Sequence, residues 1–411
     1  MTIQSVQSWP ILDSRGNWTI AVELTLSGGA RAQAQVPAGA STGKHEAVAL
    51  PAAQAAANVN GEIAQALIGR DATSLPAIDQ LLIDLDGTQD KSRLGANALL
   101  GVSCALARAL SVAAGQELWQ TLRDIFRPSR PASLPRPMIN IISGGLHAGA
   151  NIEFQDFLVI PNRAATVREL LETTVSIHRA VGRALREKGY VLTGVADEGG
   201  WGPLLPSNET AMDVLSSELD GRADIAIDVA SSHFYDNQGN YQLKREGVAT
   251  NAAGITDLLA SWTERYPLVS VEDALAEDDW EGWRNLTQRL DSRLQLVGDD
   301  FFTTNLARVR KGIETGCANA VLVKMNQIGT LSETFAVLEA AHKAGYRCVV
   351  SARSGETEDS FLADLATASG AGQIKIGSIT RSERLAKYNR LLEIERSDQL
   401  AMAGPVTGGR G

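Results

Sequence analysis

LVSVED (268–273) is one of six short apolar runs in the second half of the chain, and each run leads into a charged residue. Continuous apolar runs of this kind are typical of strands that are buried on both faces, as in parallel sheets. They recur at intervals of about 20 to 45 residues, which is room for a strand, a loop, a helix and a second loop. The other runs are ADIAIDV (223–229), LQLVGDD (294–300), AVLVKMN (320–326), CVVSARS (348–354) and QIKIGS (373–378).

This repeat of strands and helices predicts an α/β fold, either a β/α barrel or a doubly wound sheet. The barrel is the better interpretation, because the charges recur at the same place in successive units. In a β/α barrel the carboxyl ends of the strands meet in one pocket. The alternative is a set of unrelated surface charges. The barrel would bring together three carboxylates and three cations: Asp228, Glu272, Asp299, Lys324, Arg353 and Lys375.

The first part of the chain has a different pattern. WTIAVELTLSGG (18–29) alternates apolar and polar residues up to a Gly-Gly turn, and RAQAQVP (31–37) follows as a returning strand. The stretch 97–114 is rich in alanine and leucine and predicts a helix that is amphipathic to fully buried. Strands and helices of this kind predict a small α+β unit.

Four prolines fall within RPSRPASLPRP (127–137), which makes this segment the best candidate for a linker. We therefore predict a small N-terminal α+β domain over residues 1–126 and a β/α barrel over residues 138–411. A chain of 411 residues is long enough for both.

The composition excludes several classes of protein. A formal charge of −10 repels phosphate backbones and anionic lipid, so nucleic acid and membrane are poor partners. No apolar run approaches the length of a membrane helix, and the first residues do not resemble a signal peptide. The 3 cysteines are neither paired in CxxC nor grouped with histidine, and we expect buried free thiols in a reducing cytoplasm.

The chemistry of the charged strand ends points to a metal. Asp228, Glu272 and Asp299 offer only oxygen ligands, which suit a hard cation such as Mg²⁺. A second cation and bound metals would lower the pKa of Lys324 or Lys375 and leave a lysine able to act as a base. Ordinary salt bridges across the barrel mouth are the alternative. ASTGKH (40–45) does not complete a phosphate-binding P-loop.

At this point the chain closely resembles the enolase family. The similar strings keep the order they have in that family, from about Ile11 to Glu395, and cover nearly the whole chain. They are DSRGN (13–17), VPAGASTGKHEA (36–47), DKSRLGANALLGVS (90–103), ADEGG (196–200), VSVED (269–273), AEDDWEGW (276–283), VLVKMNQIGTLSET (321–334), SARSGETED (351–359), GQIKIG (372–377) and RSERLAKYN (381–389).

The resemblance implies a small N-terminal α+β domain on an enolase-type barrel of atypical strand order, in a homodimer or higher oligomer. It also implies interconversion of 2-phosphoglycerate and phosphoenolpyruvate with two Mg²⁺ ions. The implied ligands of the first metal are Asp228, Glu272 and Asp299. Ser41, on a loop that closes over the phosphate, would help to complete the second metal site.

The resemblance also implies roles for residues around the substrate. Lys324 would remove the proton at C2, and Glu198 would protonate the departing C3 hydroxyl. Arg353 and Ser354 would bind the phosphate and Lys375 the carboxylate. His147 would lie on the hydroxyl side, where the family has a Gln-Glu pair and this chain has Gln155 and Asp156.

Two positions of the pocket depart from the family pattern. Ala352 stands where the family has histidine, and Asp156 shortens a glutamate by one methylene. Both changes fall on the side that handles the C3 hydroxyl. Three further departures, Trp18, Ala274 and His233, are expected to lie away from the chemistry.

These departures favour an enzyme that keeps the enolate chemistry on a changed leaving-group side. The carboxyphosphonoenolpyruvate synthases of phosphinate natural-product pathways fit that description, since Ala352 would make room for a larger group. One alternative is an ordinary enolase, and another is a non-catalytic binding protein on the enolase fold. In each catalytic case the substrate is a small anionic carboxylate that carries a phosphate or phosphonate.

Overall fold

A computed structural model describes residues 1–39, 43–398 and 400–408. The chain begins with a three-stranded antiparallel sheet in which β2 is central. The turn between the first two strands is closed by Asp13, whose Oδ1 accepts hydrogen bonds from the backbone N–H groups of Arg15 (2.9 Å) and Asn17 (2.8 Å). The strands are β1 (Ile3–Leu12), β2 (Trp18–Leu26) and β3 (Arg31–Gln35). The predicted strand pair is therefore preceded by a third strand.

Helices cover one face of this sheet. The helix predicted over 97–114 is present as α4, which packs against β2 and β3. Gly101 permits this close approach, since a Cβ there would lie 2.4 Å from Cγ2 of Val22. The helices are α1 (Ala52–Asn58), α2 (Ala64–Leu67), α3 (Leu75–Asp86), α4 (Ala96–Ala114) and α5 (Leu118–Phe126), with a π-helical turn (Val59–Ile63) between α1 and α2.

Helix α4 is also long and apolar enough to cross a membrane by length and composition. Its most apolar window is 78% buried inside the protein. Burial of this extent is what the core helix of a globular fold shows, and the apolar character of α4 is accounted for by its packing on the sheet.

The second part of the described chain is a closed barrel of eight strands in the order β10-β11-β12-β13-β4-β5-β6-β9. Strand β5 runs antiparallel to both of its neighbours, and the other neighbouring pairs are parallel. The barrel strands are β4 (Arg136–Ser143), β5 (Asp156–Ile160), β6 (Asp224–Asp228), β9 (Leu268–Glu272), β10 (Gln295–Gly298), β11 (Ala320–Val323), β12 (Arg347–Ser351) and β13 (Gly372–Gly377).

Helices surround the barrel, and most begin at a side chain that caps the first turn. Asn305 accepts from the backbone N–H of Ala307 at 3.0 Å, and Thr330 accepts from that of Glu333 at 3.2 Å. The helices are α6 (Val167–Glu187), α7 (Asn208–Ser217), α8 (Ala252–Arg265), α9 (Trp280–Leu290), α10 (Leu306–Thr315), α11 (Leu331–Lys343), α12 (Phe361–Ser369) and α13 (Ser382–Asp398); a hairpin of β7 (Tyr241–Leu243) and β8 (Val248–Thr250) precedes α8.

The barrel begins slightly earlier than the predicted boundary at residue 138. Arg136 and Pro137, assigned to the linker, already belong to β4. Arg136 is buried and donates to the carbonyls of Pro161 (2.9 Å) and Ala164 (3.2 Å). Pro137 is tolerated because it lies at the start of the strand.

The two parts of the fold are joined by an ion pair with bidentate geometry. Arg108 of α4 donates to both oxygens of Asp359, at 2.7 and 2.6 Å, and Asp359 also accepts from the backbone N–H of Gln35 at 2.8 Å. Asp359 is nearly fully buried, so removing the arginine would leave a buried charge without its partner.

We expect Arg108→Met to lower the free energy of unfolding by about 3 kcal/mol, as for other buried pairs that lose one member. Urea denaturation followed by circular dichroism measures this. The matched control is Arg310→Met, on the exposed side of α10. An equal loss in both variants would contradict a joining role for the pair.

Candidate active site

The charged residues predicted at strand ends lie at one mouth of the barrel. In the neighbouring strands β6 and β9, Asp228 pairs in register with Glu272, so two of the carboxylates are adjacent. Glu272 is buried and is not part of the lining, while the other five charged residues line one cavity of about 510 Å³, counted with the solvent at its mouth: Asp228, Asp299, Lys324, Arg353 and Lys375. The prediction of a shared pocket rather than separate surface charges is thus met by the geometry.

Lys375 links two of the carboxylates. Its Nζ lies 2.8 Å from Oδ2 of Asp228 and 2.8 Å from both oxygens of Glu272. Burial and the charge of Asp228 raise the pKa of Glu272 well above its usual range. Burial lowers the pKa of Lys375, but Asp228 and Glu272 outweigh it and the pKa is raised. The site is therefore strongly acidic around one ammonium group.

Lys324, which follows β11, donates to Oδ2 of Asp299. Oδ1 of Asp299 accepts from Nε2 of Gln327 at 3.1 Å. Burial lowers the pKa of Lys324, yet the charge of Asp299 outweighs it and raises the pKa above its ordinary value. The prediction that a second cation and bound metals lower the pKa of a lysine is not tested by these contacts and stays a prediction. Neutralising Asp299 would remove the charge that raises it.

His147 connects two carboxyl groups on another side of the cavity. Its Nδ1 lies 3.0 Å from Oδ2 of Asp156, and its Nε2 lies 3.8 Å from Oε1 of Glu198. Burial lowers the pKa of His147, but the charges of Asp156 and Glu198 outweigh it and raise the pKa to about 9. The imidazole is therefore a cation at neutral pH.

Asp156 does not reach the cavity. Its side chain is fully buried and accepts from Nδ2 of Asn140 as well as facing His147. Glu198 and Gln155 do line the cavity. Asp156 therefore contacts His147 and is not part of the cavity lining.

Arg353 and Ser354 line the cavity where the phosphate was expected. Arg353 forms an ion pair with Glu46 at 3.1 Å and also donates to Oδ1 of Asn326 at 2.9 Å. Glu46 comes from the N-terminal part of the chain and was missed as a site residue. Its only signal in the sequence was its position inside VPAGASTGKHEA (36–47).

Ser41 lies outside the described residues. On either side of it, Gly39 lines the cavity, and the backbone N–H of Gly43 donates to Oε1 of Glu46 at 3.0 Å. The predicted role of Ser41 at a second metal stays a prediction.

Some of the residues that depart from the family pattern line the cavity, and others lie away from it. Ala352 lines the cavity, as expected. His233 lines it too, so the expectation that this residue lies away from the chemistry is wrong. It follows β6 in a short helical turn (Ser231–Phe234) that carries its ring to the cavity mouth. Ala274 is fully buried, and Trp18 is 66% exposed beside a separate crevice that also reaches Arg353.

The donors at this mouth fit a divalent cation. Asp228, Glu272 and Asp299 are buried oxygen donors on successive strands of the barrel. Gln155 donates from Nε2 to Asp228 at 3.1 Å, while its buried Oε1 has no hydrogen-bond partner within the described chain. That oxygen is available to a ligand of the site.

Two groups of three residues could each hold a metal ion, because the ligand atoms within each group lie within 4.8 Å of one another. One is Asp273, Asp299 and Asp300, which shares only Asp299 with the predicted set; the other is His147, Asp156 and Glu198.

The chain thus belongs to the class of α/β barrel proteins, with an antiparallel second strand and with acids and lysines at the barrel mouth. Two family matches agree with this. Residues 3–122 match the family described as "Enolase, N-terminal domain", and residues 131–409 match "Enolase, C-terminal TIM barrel domain". The chain belongs to the enolase family, and it is an enzyme of that superfamily.

Proposed function

We propose that this protein is a Mg²⁺-dependent enzyme that forms an enolpyruvate product from 2-phosphoglycerate or a close analogue, in the manner of the carboxyphosphonoenolpyruvate synthases. One observation carries the proposal. Lys324, Lys375 and Ala352 line the same cavity, whereas the carboxylate of Asp156 is fully buried and faces Nδ1 of His147. We assign it two metal ions, one of them held by Asp228, Glu272 and Asp299.

Proton removal next to a carboxylate is difficult because it adds charge to an existing anion. Lys324 is the base in this proposal, and Lys375, which lines the same cavity, would attract the substrate carboxylate. Divalent cations, when bound, supply positive charge that stabilises the developing enediolate. A lysine or histidine base together with magnesium is the general pattern of this superfamily, and the residues here match it. Arg353, held at its guanidinium by Glu46, would exchange that partner for the substrate phosphate.

The leaving-group side retains one acid and one cation. Glu198 lines the cavity and lies 3.8 Å from Nε2 of His147. A protonated His147 would keep a proton available to Glu198. In this proposal, the short side chain of Ala352 makes room for a group larger than hydroxyl.

An ordinary enolase is the second candidate, and the retained contact between His147 and Glu198 favours it. The two candidates differ in the effect expected from Ala352 and Asp156. Loss of one positioned proton-transfer group costs about 10²–10⁴-fold in rate. An enolase that depended on the family's histidine and glutamate at these two positions would therefore be much slower with Ala352 and Asp156 in their place.

The double variant Ala352→His/Asp156→Glu tests this. We expect weak formation of phosphoenolpyruvate from 2-phosphoglycerate in the unmodified protein and an increase of at least about 10-fold in the double variant. Absorbance of phosphoenolpyruvate in the presence of Mg²⁺ measures both. The matched control is Ala307→His/Asp257→Glu, at exposed positions of α10 and α8.

Strong activity in the unmodified protein would contradict the specialised function and favour an ordinary enolase. A second assay measures the specialised reaction directly, with a phosphonoformyl nucleotide and 2-phosphoglycerate as substrates. No turnover there, together with dehydration of 2-phosphoglycerate at ordinary rates, would also reject the specialised function.

A further inference from the structure

A second cavity lies at the opposite end of the barrel from the catalytic one. Arg347 is the first residue of β12 and Gly372 the first of β13, and both line it. The C-terminal segment 403–406 forms another wall. Counted together with the solvent at its open mouth, the cavity encloses about 920 Å³.

The charge of this cavity is unusual for an acidic protein. Its described lining includes the cations Arg130 and Arg347 and no carboxylate. Arg347 has neutral partners: it donates to the backbone oxygen of Thr407 and, at 3.0 Å, to Oγ1 of the same residue. Burial lowers the pKa of Arg347. The side chain of Arg130 has no hydrogen bond or ion pair to any described residue. The two guanidinium groups thus have no counter-ion within the part of the chain that the structure describes.

A third polar group lines the same cavity. His342 of α11 is 9% exposed, and its Nδ1 is buried without a hydrogen-bond partner among the described residues. Burial, then the charge of Arg130, lowers the pKa of this ring to about 4, and Glu339 opposes them. Glu339 is itself bound to Ser129 at 2.9 Å and to Lys343 at 3.2 Å. A buried polar atom of this kind is normally satisfied by a protein group, a water or a ligand.

We propose that this cavity is a binding site for a small phosphate-bearing anion. The guanidinium groups of Arg130 and Arg347 supply the charge and the paired N–H donors that phosphate oxygens accept. The ring of His342 lies at the wall of the same cavity, so an anion bound there would change its surroundings. The shared chemistry is that of inorganic phosphate and of a phosphomonoester, and the proposal does not depend on the catalytic function proposed above.

Phosphate is expected to bind at the catalytic cavity as well, so the two sites must be separated. In the Arg353→Met background, isothermal titration calorimetry with inorganic phosphate at constant ionic strength should retain one site. Adding Arg130→Met or Arg347→Met should weaken that site at least about 10-fold, because each removes a charged donor. Arg310→Met, an exposed arginine of α10, is the matched control. Glycerol 1-phosphate in place of phosphate distinguishes a phosphomonoester ligand from the free ion.

A second measurement does not depend on the stability of the Arg347 variant. Nuclear magnetic resonance of the histidine rings should show the His342 resonances moving on addition of phosphate but not of sodium chloride, and Arg130→Met should abolish the movement. Arg130 is exposed, so this variant is expected to fold. The proposal is overturned if no phosphate binds in the Arg353→Met background, if both arginine variants bind as the control does, or if chloride moves the ring equally.

Discussion

Replacing Lys324 by methionine will lower the rate of hydrogen exchange at C2 of 2-phosphoglycerate by about 10²–10⁴-fold, the usual contribution of one positioned base. Lys324 lies at the end of β11 with its ammonium group against Asp299, at the wall of the cavity. Exchange requires removal and return of the C2 proton but not departure of a leaving group. It therefore reports on the base alone. Proton nuclear magnetic resonance in deuterium oxide measures the loss of the C2 signal.

Two further variants make the result specific. Lys343→Met removes an exposed lysine of α11 and should leave exchange unchanged. Glu198→Gln should retain exchange while losing the elimination step, because Glu198, which lies 3.8 Å from Nε2 of His147, is the proposed proton donor to the leaving hydroxyl. Similar thermal midpoints for the three proteins exclude unfolding as the cause. Unchanged exchange in Lys324→Met would remove this lysine from the role of base.

The positions of the charged strand ends could be predicted because their cause is local. An apolar run followed by a charge fixes where a buried strand stops, and barrel closure then brings the ends together. Asp228, Glu272 and Lys375 thus meet at one mouth although they are far apart in sequence. The antiparallel direction of β5 had no such local cause, and only the resemblance implied an atypical barrel.

The electrostatics of the site could not be predicted in the same way. The partner of Arg353 is Glu46, which approaches from the other domain, and no spacing along the chain indicates that contact. The raised pKa of Lys324 follows from which carboxylate lies next to it, a matter of side-chain packing. His233 was misplaced because the turn after β6 redirects its ring into the cavity.

The position of the metal can be tested against a second acidic group at the same mouth. Asp273, Asp299 and Asp300 have ligand atoms within 4.8 Å of one another. However, the oxygens of Asp273 already accept the backbone N–H groups of Asp299 (2.9 Å) and Asp300 (2.8 Å). These bonds shape the turn after β10, so Asp273 has less capacity for an ion. We therefore propose that the set that contains Asp228 and Glu272 is the ligand group.

We therefore expect Mg²⁺ to raise the thermal midpoint of the unmodified protein, and Glu272→Gln to abolish that rise. A ligand at 100 times its Kd stabilises the native state by about 2.7 kcal/mol. Asp300→Asn and the exposed Asp257→Asn should keep the rise. Differential scanning calorimetry with and without Mg²⁺ measures it, and a non-catalytic protein that binds no metal would show no rise in any form.

Without metal, Glu272→Gln should not lower the thermal midpoint of the protein. Burial and the charge of Asp228 raise the pKa of Glu272 in the folded state, so this carboxyl group costs stability as pH rises from its unfolded pKa toward its folded pKa. A neutral glutamine removes the repulsion with Asp228, and the midpoint of metal-free Glu272→Gln should equal or exceed that of the unmodified protein. A variant that merely damaged the fold would lose stability under both conditions. If the Mg²⁺-dependent rise instead survives in Glu272→Gln and disappears in Asp300→Asn, the ion is held by the group that includes Asp273.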